Sequence, residues 1–445
     1  MLKRNLSAVL LSLCFIICSC GKSEPEIISI NKTEQEKLLH KSSNDLHNAL
    51  VYRKQQEDKA ITNYINSMSL QEKICQMFIV NIDGNRKFAP VEKMSLICAE
   101  DDSYIVPGGY LFFGFNLADT PEEVISFTDS IDTYCINNNI TPPFLSIDQE
   151  GGKVNRLRKL AGLYPSAEEI SDTLSLEQAE KLFVYQAKQM ADLGFHLNLA
   201  PVAEVCTDTN KDFLDGRSYG SFEKVLNYGK LNVKKFENYG IGTVLKHFPG
   251  NSNTDPHSGL PEINLSEKDL FESLKSFEEL IKENPSGILM SHARTTAVDK
   301  ETPACLSSVW VTDILRKKYG YNGIIFSDDI FMGALSKNNY PPEKAVLMAV
   351  NAGIDSIMIS EKRFASMAKI LYNKAIEDNE FVEKINAAVR RIIEFKIKKH
   401  ILQFDINEDE NLNGWKLQPV NPDTSHKRTE DFYEYRKLNN NLFQE

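Results

Sequence analysis

The stretch KHFPGNSNTDPHSGLP, residues 246–261, carries a lysine, two histidines, an aspartate and three prolines. Turn formers at that density make a projecting loop rather than a helix or strand. Within it, Asp255 stands two residues before His257. An imidazole oriented by a nearby carboxylate stays protonatable near neutral pH, which a general acid/base requires. Asp255 can take one ring nitrogen while the other faces a leaving group. For an isolated D-x-H the commoner arrangement is a turn in which the aspartate caps its own backbone and the histidine is solvated.

A second stretch, GIIFSDD at 323–329, ends an apolar run on two aspartates. A carboxylate at the tip of a rigid strand suits a nucleophile that must be placed against an electrophilic carbon. Neighbours in a strand point to opposite sides, so only one of the pair, Asp328 or Asp329, faces a pocket. Carboxylates at a strand end also bind Mg²⁺ or Ca²⁺, which is the competing reading. A metal site built from His247, His257 and His292 has little support, because their separations form no known ligand spacing. Neither a metal nor an organic cofactor is expected.

These residues need elements to position them. Eight β-branched or aromatic runs recur along the chain: QMFIV, GYLFFG, PFLSID, FHLNLAPV, GTVLKHF, GILMSH, GIIFSDD and DSIMIS. Helix-like segments follow them, with start signals in Thr120, Pro121 and Glu123, in Ser166 with Glu169, and in Ser266 with Asp269. Apolar strands alternating with helices predict an α/β fold with a covered parallel sheet, and eight of them favour closure into a (β/α)8 TIM-type barrel. Val382, Ile385, Ala388 and Ile392, at helical spacing, mark the closing helix. The active site of such a barrel lies at the C-terminal strand ends. Polar residues concentrate there, in DQEGGKVNR, in the 246–261 stretch and in the aspartate pair. Unpaired charges near a core are costly, so their convergence predicts a polar ligand. The aromatics of FFGF at 112–115 are assigned to strand core, and Trp310 and Trp415 to no sugar platform.

The motifs SIDQEGGKVNRL, NLAPV, GRSYG, LKHFPG with DPH, MSHA and YGYNGIIFSDDIFMG stand in this order along residues 60–400. Their order and spacing resemble glycoside hydrolase family 3, most of all its β-N-acetylglucosaminidase branch. The resemblance implies a retaining double displacement with Asp328 as nucleophile, His257 as acid/base and Asp255 as its orienting partner. A histidine in that role departs from the usual pair of carboxylates. The resemblance also implies that Asp148, Arg156, Arg217, Lys246 and His247 hold the sugar, and their chemistry fits dense hydroxyl binding. Gly151 and Gly152 let the chain turn closely beside them. Asn251 and Ser252 stand where the branch reads His-Gly, and Pro256 separates Asp255 from His257. The loop is therefore shorter and stiffer than is usual in the branch. The β-glucosidase branch takes its acid/base from a second α/β domain; the residues after the last strand, about 85, are too few for one of usual size.

The remaining sequence frames this reading. Lys3 and Arg4 precede an apolar run from Leu6 to Cys18, too short for a membrane span, and the ICSCG that ends it resembles a bacterial lipobox with Cys20 as the lipidated residue. One N-terminal lipid tethers a chain without spanning the membrane. The expected organisation is a signal segment at 1–20, a polar spacer at 21–59, the barrel at 60–401 and a C-terminal extension at 402–445. A formal charge of -11, from 51 basic and 62 acidic residues, argues against nucleic acid as a partner. Cys75, Cys98, Cys135, Cys206 and Cys305 are scattered and odd in number, so buried free thiols are expected. The function expected is an envelope-tethered exo-β-N-acetylglucosaminidase acting on peptidoglycan fragments, chitooligosaccharides or related glycans. The alternatives are a sugar-binding lipoprotein without catalysis, or a β-glycosidase or phosphorylase of different sugar specificity.

Overall fold

The computed structural model describes residues 32–98, 101–406, 415–423 and 425–443, with side chains from Asp45 onward. The signal segment, Cys20 and the first part of the spacer lie outside the described residues. A helix occupies Lys32–Ser67, running through the spacer boundary drawn at residue 59. The chain divides into two compact units after Gln55. The second, Gln56–Glu445, contains everything described below.

Eight strands form one sheet: β1 (Phe78–Asn81), β2 (Gly109–Phe112), β3 (Phe144–Ile147), β4 (Leu197–Asn198), β5 (Gly242–Phe248), β6 (Gly287–Met290), β7 (Ile324–Ser327) and β8 (Ile357–Ile359). Neighbours follow the order β7-β6-β5-β4-β3-β2-β1-β8, and every pairing is parallel. The ring closes where Phe326 bridges Ser356 and the Ser327 N–H donates to the Ser356 carbonyl at 3.0 Å. All eight predicted runs contribute a strand, and the barrel expectation holds.

Inside the barrel, Ile79, Leu111, Phe144, Leu197, Val244, Leu289, Ile324, Phe326 and Met358 form the inner core. Ile392 and Phe395 of the closing helix Asn379–Lys398 plug its base, with Phe395 edge-on to Phe144 at 5.5 Å. Each fully buried phenylalanine stabilises the fold by roughly 1.5–3 kcal/mol. Gly109 and Gly287 make room for them: a Cβ on Gly109 would lie 2.2 Å from the Phe144 ring, and one on Gly287 2.6 Å from Phe326. Small residues thus face large ones across the interior, as close packing requires.

The helix start signals act as their chemistry implies. Ser166 and Glu169 form a reciprocal capping box. Thr120 and Ser266 each accept the N–H three residues on. The C-terminal extension wraps the flank of the barrel. A hairpin pairs Leu402–Asp405 with Lys416–Pro419, and the helix Lys427–Asn441 is tied down by Arg428, which reaches Asp129 at 2.7 Å and the Asp192 carbonyl at 2.9 Å. The five described cysteines are all free thiols; Cys75, Cys135 and Cys305 are buried and Cys98 is half-buried, but Cys206 is exposed, on the loop beyond β4. For Cys206 the expectation of burial is corrected.

Candidate active site

Inward positions alternate along a strand, so the inner core continues past the strand tips into Phe113, Asp148, Lys246 and Asp328. Lys246, nearly buried on β5, is held by Asp148 Oδ1 at 2.6 Å and Glu150 Oε1 at 2.5 Å. Arg217 grips Glu150 with two parallel bonds of 2.8 and 2.9 Å. Planar two-point pairing of this kind fixes both partners. Burial by itself would raise the Glu150 carboxyl, yet Lys246 and Arg217 hold it well below the usual range. Burial likewise opposes the charge on Lys246, but Asp148 and Glu150 keep its pKa above the ordinary lysine value. Glu150, Arg217 and Lys246 are therefore charged at neutral pH.

The register of β5 against β6 shifts between Lys246 and Phe248, and the Lys246–His247 peptide is cis. His247 turns to Glu204, whose Oε1 lies 2.9 Å from its Nδ1, and Glu204 also accepts the Asn251 N–H at 2.7 Å. Asn251, at a departure from the branch pattern, thus anchors the start of the loop. The Phe213 ring meets His247 edge-on at 5.6 Å, with the Arg217 guanidinium over its face.

Asp328 follows β7 and is partly exposed. Its carboxylate accepts the Asp329 N–H at 2.8 Å, its only hydrogen bond among the described residues. Desolvation would raise its pKa, but His292, His247, the Asp329 N–H and Lys246 together bring it below the usual carboxylate value. Asp328 is an anion with acceptor capacity to spare. Beside it, His292 is buried with Nδ1 3.3 Å from the Cys305 thiol and no partner for Nε2 among the described residues. Asp329 turns the other way, accepting the Phe331 N–H and the Ser360 hydroxyl.

Asp255 and His257 lie apart from the buried cluster, on the exposed loop beyond β5. The His257 Nδ1 is 2.7 Å from Asp255 Oδ1, and the His257 N–H bonds the same oxygen at 2.9 Å. These two bonds lower the Asp255 pKa, the backbone one most. Nε2 remains for other work. Arg156 is the one predicted sugar-binding residue outside the ion-pair network: its guanidinium sits 5.7 Å over the Phe113 ring, and its buried Nε has no partner among the described residues.

The assignment of FFGF to strand core is corrected. Phe112 is buried, but β2 ends there, and Asn116 holds the following turn by accepting the Phe113 N–H and the Asn81 amide. Phe115 is 67% exposed and stacks on Phe113 at 5.6 Å. Among the described residues no cluster of three or more His, Cys, Asp or Glu could hold a metal ion.

Residues 69–395 match the family model for the glycosyl hydrolase family 3 N-terminal domain. The chain belongs to glycosyl hydrolase family 3. It is 30% identical over 321 residues to beta-hexosaminidase A of Pseudoalteromonas piscicida, covering 65% of this chain and 53% of that one. It is 31% identical over 223 residues to beta-hexosaminidase LpqI of Mycobacterium tuberculosis, covering 48% and 57%. The chain thus spans about half the length of these curated relatives. A family 3 β-N-acetylglucosaminidase structure from Paenibacillus superposes with a TM-score of 0.66 at 25% identity, over 83% of this chain and 68% of that one. The Mycobacterium tuberculosis LpqI structure gives 0.62 at 26%, over 74% and 94%.

Glu150 and Glu204, which fix Lys246, Arg217 and His247, and Phe113, which faces Arg156, belong to this candidate site, and sequence reasoning gave none of them a role in it. Both glutamates follow a strand by a few residues, and that position is the signal that finds them.

Proposed function

We propose that this family 3 chain is a retaining exo-β-N-acetylglucosaminidase. Asp328 attacks the anomeric carbon while the His257 imidazolium gives its proton to the departing oxygen. The glycosyl ester then yields to water deprotonated by His257, and two inversions leave the configuration unchanged. Asp148, Arg156, Arg217, Lys246 and His247 hold hydroxyls and the acetamido group, and the Phe113 ring offers an apolar wall to the pyranose. The observation that carries this reading is the division between an ionised Asp328 with unused acceptor capacity and a separate imidazole oriented by Asp255 at 2.7 Å. The names of the relatives support a β-N-acetylhexosaminide as substrate; the glycans proposed to carry it are peptidoglycan fragments, chitooligosaccharides or related chains.

The test is hydrolysis of a chromogenic aryl N-acetyl-β-glucosaminide beside the matching β-glucoside, with and without phosphate. Release from the N-acetyl substrate alone, independent of phosphate, and a roughly 10²–10⁴-fold loss in His257→Ala, are expected. Glucoside turnover, phosphate dependence or binding without turnover would replace the reading with the corresponding alternative. We also propose, from ICSCG, that Cys20 carries a lipid tethering the protein to the bacterial cell envelope. Labelled fatty acid should enter the wild-type chain and not Cys20→Ala.

A further inference from the structure

The loop bearing Asp255 and His257 is held at two places. Upstream, Asn253 accepts the Asp212 N–H at 2.9 Å and donates to the Asp208 carbonyl at 3.0 Å. Downstream, it docks on the segment that follows the nucleophile. Pro256, buried between the two exposed residues of the pair, presents its carbonyl to the Ala334 N–H at 2.9 Å. Lys337 Nζ reaches the Ser258 carbonyl at 3.4 Å. Between them lies Gly333, at the first position of the short helix Gly333–Ser336. A Cβ there would stand 2.5 Å from the His257 carbonyl oxygen. That contact is backbone, so a side chain at 333 has to displace the loop itself.

Phe331 and Met332 bind back to Asp329 through their N–H groups at 3.0 Å, so this seat is continuous with the turn that fixes Asp328. We propose that residues 332–337 are the seat that positions the acid/base loop, with Gly333 as a positioning residue that sets His257 relative to Asp328. The shortened loop, with Pro256 as its buried foot, is then docked by the nucleophile's own connection. The inference rests on the proposed glycosidase reading.

Gly333→Ala tests it, using kcat/KM, which reports the step in which the leaving group departs. A phenyl N-acetyl-β-glucosaminide needs protonation of its leaving oxygen, whereas a 2,4-dinitrophenyl one does not. The expected result is a loss of about tenfold or more on the phenyl substrate and less than about twofold on the dinitrophenyl one, because misplacement removes only the acid's contribution. In a His257→Ala background the same change adds nothing. Lys337→Met, on the exposed side of the seat, shows the same selectivity at a few-fold and serves if Gly333→Ala fails to fold. Equal losses on both substrates, or no loss in an active enzyme, overturn the inference alone. A wild-type chain inert on both substrates overturns the glycosidase reading and this inference with it.

Discussion

Both ends of the barrel bury carboxylates, and their surroundings differ. At the base, Glu237 accepts the N–H groups of Thr243 and Ser286, at 2.9 and 2.7 Å, and pairs with Lys399 at 2.8 Å and Lys398 at 3.1 Å. Asp355 accepts the Ile325 N–H at 2.8 Å and is flanked by Arg316 and Arg391. These carboxylates stitch the starts of β5, β6 and β7 to the closing helix and its end. At the mouth, Asp328 takes one N–H from its own chain and Arg156 leaves Nε unpartnered among the described residues. A buried ion whose capacity is consumed by the fold is structural; one with capacity left over is available to a ligand.

Ionisable groups at the base that lack an ionic partner are driven toward neutrality instead. Burial takes Lys396 down to about 7, where it donates to Gln76 Oε1 and the Pro142 carbonyl, each at 2.6 Å. Burial, with Lys396 and other cations nearby, takes His196 to about 3.

The sharpest way to break this comparison is to change one carboxylate at each end. Asp328→Asn should lower kcat by about 10⁴-fold, the scale on which catalytic groups act in other covalent enzymes, while the melting temperature stays close to that of the wild type. A surviving rate within tenfold would remove Asp328 from the chemistry. Glu237→Gln should do the reverse: destabilisation by about 3–5 kcal/mol in denaturant unfolding, since the buried Lys399 loses its counter-ion, with kcat of the folded fraction unchanged. A stable Glu237→Gln protein would show that the base pairing is dispensable.

The smallest effect concerns Lys396. Its folded value of about 7 lies below the 10.5 of an unburied lysine. Between those values the unfolded chain binds more protons, so stability rises with pH across the window and is lost as pH falls back toward 7. Lys396→Met should flatten that part of the stability curve, measured by denaturant unfolding from pH 7 to 9.5. An unchanged slope would mean that the lysine is charged inside the fold.

Much of the barrel was legible because parallel strands buried on both faces read as continuous apolar runs, and all eight did. Asp328, Lys246 and His247 were legible because a charge at the end of such a run has few structural excuses. Glu150 and Glu204 were not. A glutamate beyond a barrel strand looks the same whether it meets water or, as these do, an arginine, a lysine or a histidine from another part of the chain. Phe115 was misplaced because the apolar run continues past the residue at which Asn116 turns the chain.

The sequence by itself determined the kind and number of elements, the faces they bury and the residues set at their tips, since local periodicity and turn chemistry act over a few residues. Only the tertiary structure decided which charges are used up and which are left for a ligand, and that the loop of Asp255 and His257 rests on the segment after Asp328 beside Gly333. Those depend on which strand ends and loops become neighbours when the barrel closes, and no local spacing carries that information.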